Sequence, residues 1–370
     1  MTRTRHDGRG PRGSRLLAAL ALVSVVGAAQ RRHQASTPDP GGIMRAALVA
    51  TSEPVQLVTP TGTLFGTLEL PAGAAANAAA NAAANAAANA AANAAAGPVP
   101  VVVIIAGSGP TDRDGNSPVL PGANNSLRLL ADGLAARGIA SLRYDKRGIA
   151  ASAAAGPKEA DLRFDMYADD AAGWIRQLRA DPRFTTITVV GHSEGSLLGM
   201  LAARRASADG YVSIAGAGRR ADLIIHEQLT KQAPPALLAE SDRIAAELLA
   251  GRTVDSVPDV LKSLYRASVQ PYLISWFRYD PAVEARQLTM PVLIVQGTTD
   301  IQVSMADARL LAAAHPGADT LFIDGMNHVL KMVASDQAKQ AASYSDPSLP
   351  VAAALMDGIE KFVKAERRRG

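Results

Sequence analysis

The run Gly191-His192-Ser193-Glu194-Gly195 has the spacing G-x-S-x-G. A serine hydroxyl is a poor nucleophile until it is lifted clear of the fold and given a base. A sharp strand-to-helix turn does the lifting, and flanking glycines relieve the crowding that its strained backbone creates. The helix that starts at the turn aims free N–H groups at the reacting centre. The chemistry within reach is acyl transfer through Ser193. The motif alone decides little, because the chain has 31 glycines and Gly/Ser loops are common in it. Its surroundings decide. Residues 186–190 are a β-branched run of strand length, and residues 197–205 have helical composition.

Ser193 needs a base. Of six histidines, His6 and His33 lie near the N-terminus, His226 falls in a long insertion, and His315 precedes Pro316 as a helix C-cap. His192 adjoins Ser193 and is expected to point away from it. His328 remains, in the loop Asp324-Gly325-Met326-Asn327-His328 after the last strand. Asp300 follows the strand 292–296 and is the expected orienting acid. Asp324 is its rival, read more simply as a turn former. The order Ser193, Asp300, His328 runs nucleophile, acid, base. An oxyanion hole needs two backbone N–H groups. Glu194 is expected to supply one. Ser108, in Ala106-Gly107-Ser108-Gly109-Pro110, is expected to supply the other.

These residues must be held by a regular frame. Strand-like runs at 64–70, 101–105, 140–144, 186–190, 211–214, 292–296 and 320–323 alternate with helical stretches. Such alternation predicts an α/β fold, a mostly parallel sheet with helices on both faces, whose ligands bind beyond the carboxyl ends of the strands. The core is expected over 55–216 and 287–370. Residues 217–286, inserted after the strand 211–214, are expected to form a helical cap with nine basic and nine acidic residues. Within it Tyr265, Tyr272, Trp276 and Tyr279 recur at helical spacing. They form either the cap's own core or, through Tyr272 and Trp276, a substrate pocket.

Residues 1–29 read as a signal peptide: five arginines, then an apolar stretch too short to span a bilayer comfortably, then Gly27-Ala28-Ala29 for cleavage. Their five Arg and one Asp account for the whole formal charge of +4, so the mature chain is neutral and shows no basic footprint for a nucleic acid. A periplasmic or secreted location follows, with residues 30–54 as a tail and no membrane span after processing. The chain has no cysteine, which excludes disulfides, thiolate metal sites and a cysteine nucleophile. Residues 74–96 are an Ala/Asn repeat with Asn every fourth position, read as a tolerated loop expansion.

Two longer stretches extend the pattern: Gly107-Ser108-Gly109-Pro110-Thr111-Asp112-Arg113-Asp114-Gly115-Asn116 and Arg143-Tyr144-Asp145-Lys146-Arg147-Gly148. With the G-x-S-x-G turn, they make the chain resemble the α/β-hydrolases, specifically the serine aminopeptidase-like, secreted bacterial esterase branch, from about residue 55 to the C-terminus. Ala106 departs from the commoner histidine of the oxyanion loop. The resemblance implies Ser-Asp-His hydrolysis of a small-molecule ester with no cofactor or metal. It leaves a peptidase as the alternative and a non-catalytic binding protein as a further one. Asp112, Arg113 and Asn116 either contact substrate or brace the oxyanion loop. No sequence signal addresses the oligomeric state.

Overall fold

The apolar runs are strands, and their alternate residues pack on opposite faces of one sheet. In the 101–105 run, Val101, Val103 and Ile105 join one core cluster while Val102 and Ile104 join the other. A strand covered on both sides is expected to be apolar throughout. The computed structural model describes residues 50–71, 97–231 and 233–366. The expected signal peptide, most of the expected tail, the Ala/Asn repeat and the C-terminal arginines lie outside the described residues.

Eight strands are described: β1 (Thr51–Thr59), β2 (Gly62–Leu70), β3 (Val99–Ile105), β4 (Ala140–Tyr144), β5 (Phe184–His192), β6 (Gly210–Ile214), β7 (Val292–Gly297) and β8 (Asp319–Ile323). They form one sheet in the order β1-β2-β4-β3-β5-β6-β7-β8. The β1–β2 and β2–β4 pairs are antiparallel, and every later pair is parallel. β1 begins at Thr51, so residues 51–54 belong to the sheet rather than to a tail. The strand is hard to see in the sequence because it carries Pro54 and alternates half-buried with exposed residues, as an edge strand can.

One face of the sheet carries α2 (Phe164–Arg179) and α3 (Glu194–Arg205); the other carries α1 (Ser126–Ala135) and α11 (Ala353–Glu366). Residues 194–203 of α3 are all buried. Between β6 and β7 the chain forms the expected helical insertion: α4 (Ala221–Thr230), α5 (Pro235–Leu249), α6 (Lys262–Tyr265), α7 (Gln270–Phe277) and α8 (Pro281–Arg286). Its aromatics fasten it to the core. The Trp276 ring stacks on Phe164 at the start of α2, 5.6 Å between centroids and 5° between planes, and Tyr272 meets Tyr167 edge-on at 5.8 Å. Two helices complete the chain's second half, α9 (Met305–Ala314) and α10 (Gln337–Ser343). His315 caps α9 as expected, its ring also facing the Ala285 carbonyl at 3.2 Å.

Candidate active site

Ser193 sits at the end of β5 with φ +56° and ψ −121°, a backbone conformation that L-residues seldom adopt. The surroundings hold it there. Its N–H donates to the Ile214 carbonyl of β6 at 2.9 Å, and its own carbonyl accepts from Ser196 N–H at 2.9 Å. Gly195 makes the turn possible through close approach, since a Cβ there would lie 2.2 Å from the Ile105 carbonyl oxygen. The strand–turn–helix setting that the G-x-S-x-G motif requires is therefore present around Ser193.

His328 and Asp300 come together from two neighbouring loops. Thr298 N–H donates to Ile323 O at 3.0 Å and Thr299 N–H to Met326 O at 3.2 Å, which locks the loop after β7 to the loop after β8. The Nδ1 of His328 lies 2.8 Å from Asp300 Oδ2. That oxygen also accepts from Gln296 Nε2 at 3.0 Å, while Oδ1 accepts from the backbone N–H groups of Gln302 and Val303 at 2.8 and 3.0 Å. Burial alone would push the Asp300 carboxyl up. The facing His328 and these hydrogen bonds outweigh it, and the net shift is downward. The rival Asp324 instead accepts from the Thr298 hydroxyl at 2.8 Å, as a turn residue does.

His192, set aside on sequence grounds, lies against this pair. Its Nε2 is 2.8 Å from the His328 carbonyl oxygen, and the two rings are 4.9 Å apart. Burial, reinforced by the neighbouring His328, pushes its pKa down to about 3. The ring is therefore neutral, and because a carbonyl only accepts, Nε2 carries the proton. His226 pairs instead with Asp242 at 2.7 Å on the exposed side of the cap.

Ser108 and Glu194 flank Ser193 on the floor of a cleft of about 530 Å³, counting its open mouth. The walls are mostly apolar: Leu197 from α3, Ile224, Ile225, Trp276 and Pro281 from the cap, and Val303. Glu194 is the one carboxylate among the lining residues. Its side chain is held by the buried Lys146, whose Nζ lies 3.1 Å from Oε1. Burial and the Glu194 charge together push the Tyr272 phenol up. The lining cation Arg219 is engaged by Asp307 at 2.7 Å and Glu227 at 2.6 Å.

Of the residues expected to contact substrate, Trp276 lines the cleft. Tyr272 lies one layer deeper, buried among Phe164, Tyr167 and Trp276. Asp112, Arg113 and Asn116 are not among the lining residues; they brace their own loop. Asp112 Oδ1 accepts from the backbone N–H groups of Asp114 and Asn116, both at 2.9 Å. Arg113 donates to Asp145 at 2.7 Å and to the Thr67 hydroxyl at 3.1 Å. Asn116 Oδ1 accepts from Asn124 N–H and Asn125 N–H, both at 2.9 Å. Sequence reading missed His192 and Lys146 as neighbours of the site. Lys146 stands inside a stretch singled out by resemblance, but no local pattern shows that it reaches residues 39 and 48 positions away.

Comparison with known proteins agrees with this architecture. Residues 123–333 match the family described as serine aminopeptidase, S33. The esterase EstD of Thermotoga maritima is 28% identical over 247 residues, which cover 63% of this chain and 55% of that protein. The chain thus spans about half the length of this curated relative. Among solved structures, Est1E from Butyrivibrio proteoclasticus aligns with a TM-score of 0.51 at 15% identity, covering 85% of this chain and 98% of that one. The α/β hydrolase GrgF from Penicillium sp. sh18 aligns with a TM-score of 0.51 at 16% identity, covering 86% and 99%. These two likenesses concern the fold. The family match spans more than half of the chain, across α1, the elbow, the cap and the loops of Asp300 and His328: the chain belongs to the serine aminopeptidase S33 family of the α/β-hydrolase superfamily.

Proposed function

We propose that this chain is a serine hydrolase that cleaves carboxylic esters through an acyl-enzyme, with Ser193 as nucleophile, His328 as base and Asp300 as its orienting acid. The observation that carries the reading is the hydrogen bond of 2.8 Å between His328 and Asp300, whose side chain is 1% exposed and bonded four times, on the same sheet end as the strained Ser193. In the first half-reaction Ser193 Oγ attacks the acyl carbon while His328 Nε2 takes its proton. The tetrahedral oxyanion receives hydrogen bonds from the N–H groups of Ser108 and Glu194. The C–O bond then breaks, and the proton passes from His328 to the leaving alkoxide. In the second half water attacks the acyl-enzyme with the same proton route, releasing the acid and Ser193. Asp300 keeps the Nδ1–H tautomer of His328 and stabilises the imidazolium.

The cleft favours an ester over the free N-terminus of a peptide. An aminopeptidase needs an acid to receive the substrate's ammonium, and the one lining carboxylate, Glu194, is engaged by Lys146. The apolar walls suit an acyl chain. The esterase relative supports the same choice. Residues 1–29 support action outside the cytoplasm, in the periplasm or the medium.

The test is a panel of p-nitrophenyl esters beside aminoacyl p-nitroanilides, with fluorophosphonate labelling and peptide mapping. Ester turnover with a single adduct on Ser193 is expected. Faster turnover of the anilides, or an adduct elsewhere, overturns the reading.

A further inference from the structure

We propose that Lys146 is the positioning residue that aims the oxyanion hole. The proposal rests on the reading of Ser108 and Glu194 given above. Lys146 follows β4, and its side chain is 2% exposed. Its Nζ donates to the Gly107 carbonyl at 2.6 Å and to Glu194 Oε1 at 3.1 Å, and lies 5.1 Å from the Tyr167 ring centroid. Burying an ammonium is costly even when it is paired, and an apolar side chain of the same volume often serves stability as well or better. The placement of this one has a geometric consequence.

Gly107 and Ser108 share one peptide unit. In a trans peptide the C=O and the N–H point in opposite directions. Anchoring the Gly107 oxygen on Lys146 therefore fixes the direction of the Ser108 N–H. That peptide lies over Ser193, because a Cβ on Gly107 would fall 3.1 Å from the Ser193 Cβ. The same ammonium grips the side chain of Glu194, the residue whose N–H is the second donor. One cation thus ties both donor loops. Its charge at the carbonyl end also polarises the peptide, which makes the Ser108 N–H a stronger donor to a developing oxyanion.

Removing a donor outright costs about 10²–10³ in kcat, so mis-aiming one is expected to cost about 10- to 100-fold. Lys146→Met alone would strand the Glu194 carboxylate, so the informative variant is Lys146→Met with Glu194→Gln. If Lys146 only neutralises Glu194, this pair restores wild-type turnover. If it aims the Gly107–Ser108 peptide, kcat stays down by that factor while KM moves less than about threefold. Affinity for an acyl trifluoromethyl ketone, whose serine adduct places an oxyanion in the hole, falls by the same factor as kcat. Lys146→Arg is the second variant. It keeps a cation opposite Glu194 but cannot set a donor at the Nζ position, so the same loss is expected. Circular dichroism confirms folding, and Lys146→Arg decides the matter if the double variant does not fold. Wild-type kcat and ketone affinity in either folded variant overturn the proposal. A wild-type protein that neither turns over esters nor binds the ketone fails the underlying reading instead, and takes this proposal with it.

Discussion

The ring of His192 donates a hydrogen bond from Nε2 to the backbone carbonyl of His328 at 2.8 Å. The residue just before the proposed nucleophile therefore braces the loop of the proposed base. The neutral charge of this ring matters to its neighbour, because a second cation 4.9 Å from the His328 ring would oppose formation of the imidazolium.

This brace has a pH signature. The folded pKa of His192, about 3, lies below the value near 6.5 of an unfolded histidine. Between these values the unfolded chain binds a proton that the folded one does not. The contribution to stability is complete above about pH 6.5 and is lost as pH falls toward 3. His192→Gln removes this titration, so its melting temperature should fall less steeply between pH 6.5 and 4 than that of wild type. Parallel acid limbs would mean that His192 does not titrate on unfolding.

Asp300→Asn should retain the fold and lower kcat by about 10²–10⁴-fold, the scale found when a triad acid is neutralised. Asp324→Asn should cost far less, because an Asn oxygen can still accept from the Thr298 hydroxyl. Both variants are to be measured on one ester, with circular dichroism alongside. An inactive Asp324→Asn beside an active Asp300→Asn would reassign the acid.

Asp112 gives a shift of opposite sign. Burial, with the nearby charges of Asp114 and Asp145 adding to it, pushes its pKa up to about 6 despite two backbone hydrogen bonds. The folded chain then holds a proton longer than the unfolded one, whose aspartate titrates near 3.9. The contribution to stability is complete below about pH 3.9 and is lost as pH rises through 6. Asp112→Asn keeps the accepting oxygen, so it should melt higher than wild type at pH 7, and the gap should close toward pH 4. A lower melting temperature at pH 7 would contradict the shift.

The strands flanking residues 74–96 predict that these residues are dispensable. Glu69 of β2 pairs with Ser141, and Val101 of β3 pairs with Ala140, on either side of β4. The end of β2 and the start of β3 thus lie level, two strand spacings or about 10 Å apart, a gap that three or four residues can span. They meet at the sheet end opposite Ser193. Replacing 74–96 with a short Gly/Ser link should leave kcat/KM unchanged and stability within about 1 kcal/mol. A tenfold loss of kcat/KM, about 1.4 kcal/mol, would show that the segment reaches the site.

What could be read in the sequence shares one property: the information is local. The apolar run 101–105, the turn around Ser193 and the strand-end positions of Asp300 and His328 each announce themselves within about ten residues. β1 did not, because an edge strand with Pro54 and an exposed face lacks the apolar signature. Nor did α10, seven mostly polar residues of which only Gln340 and Ser343 are buried. The two neighbours of the site that were missed, His192 and Lys146, act across 136 and 39–48 residues of chain, where spacing carries no information. Asp112, Arg113 and Asn116 were open to two readings because bracing and binding call for the same residue types. Their partners settle what they touch: backbone, Asp145 and one another's loop.

The hydrogen bond from Ser193 N–H to the Ile214 carbonyl, together with the burial of the first ten residues of α3, bears on how the protein fails as well as how it works. An elbow stitched into the middle strands has no hinge of its own and cannot fray apart from its sheet. Amide exchange at Ser193 then reports the rarest openings of the molecule, those that part β5 from β6. On warming, loss of turnover and loss of the fold should proceed on a single clock.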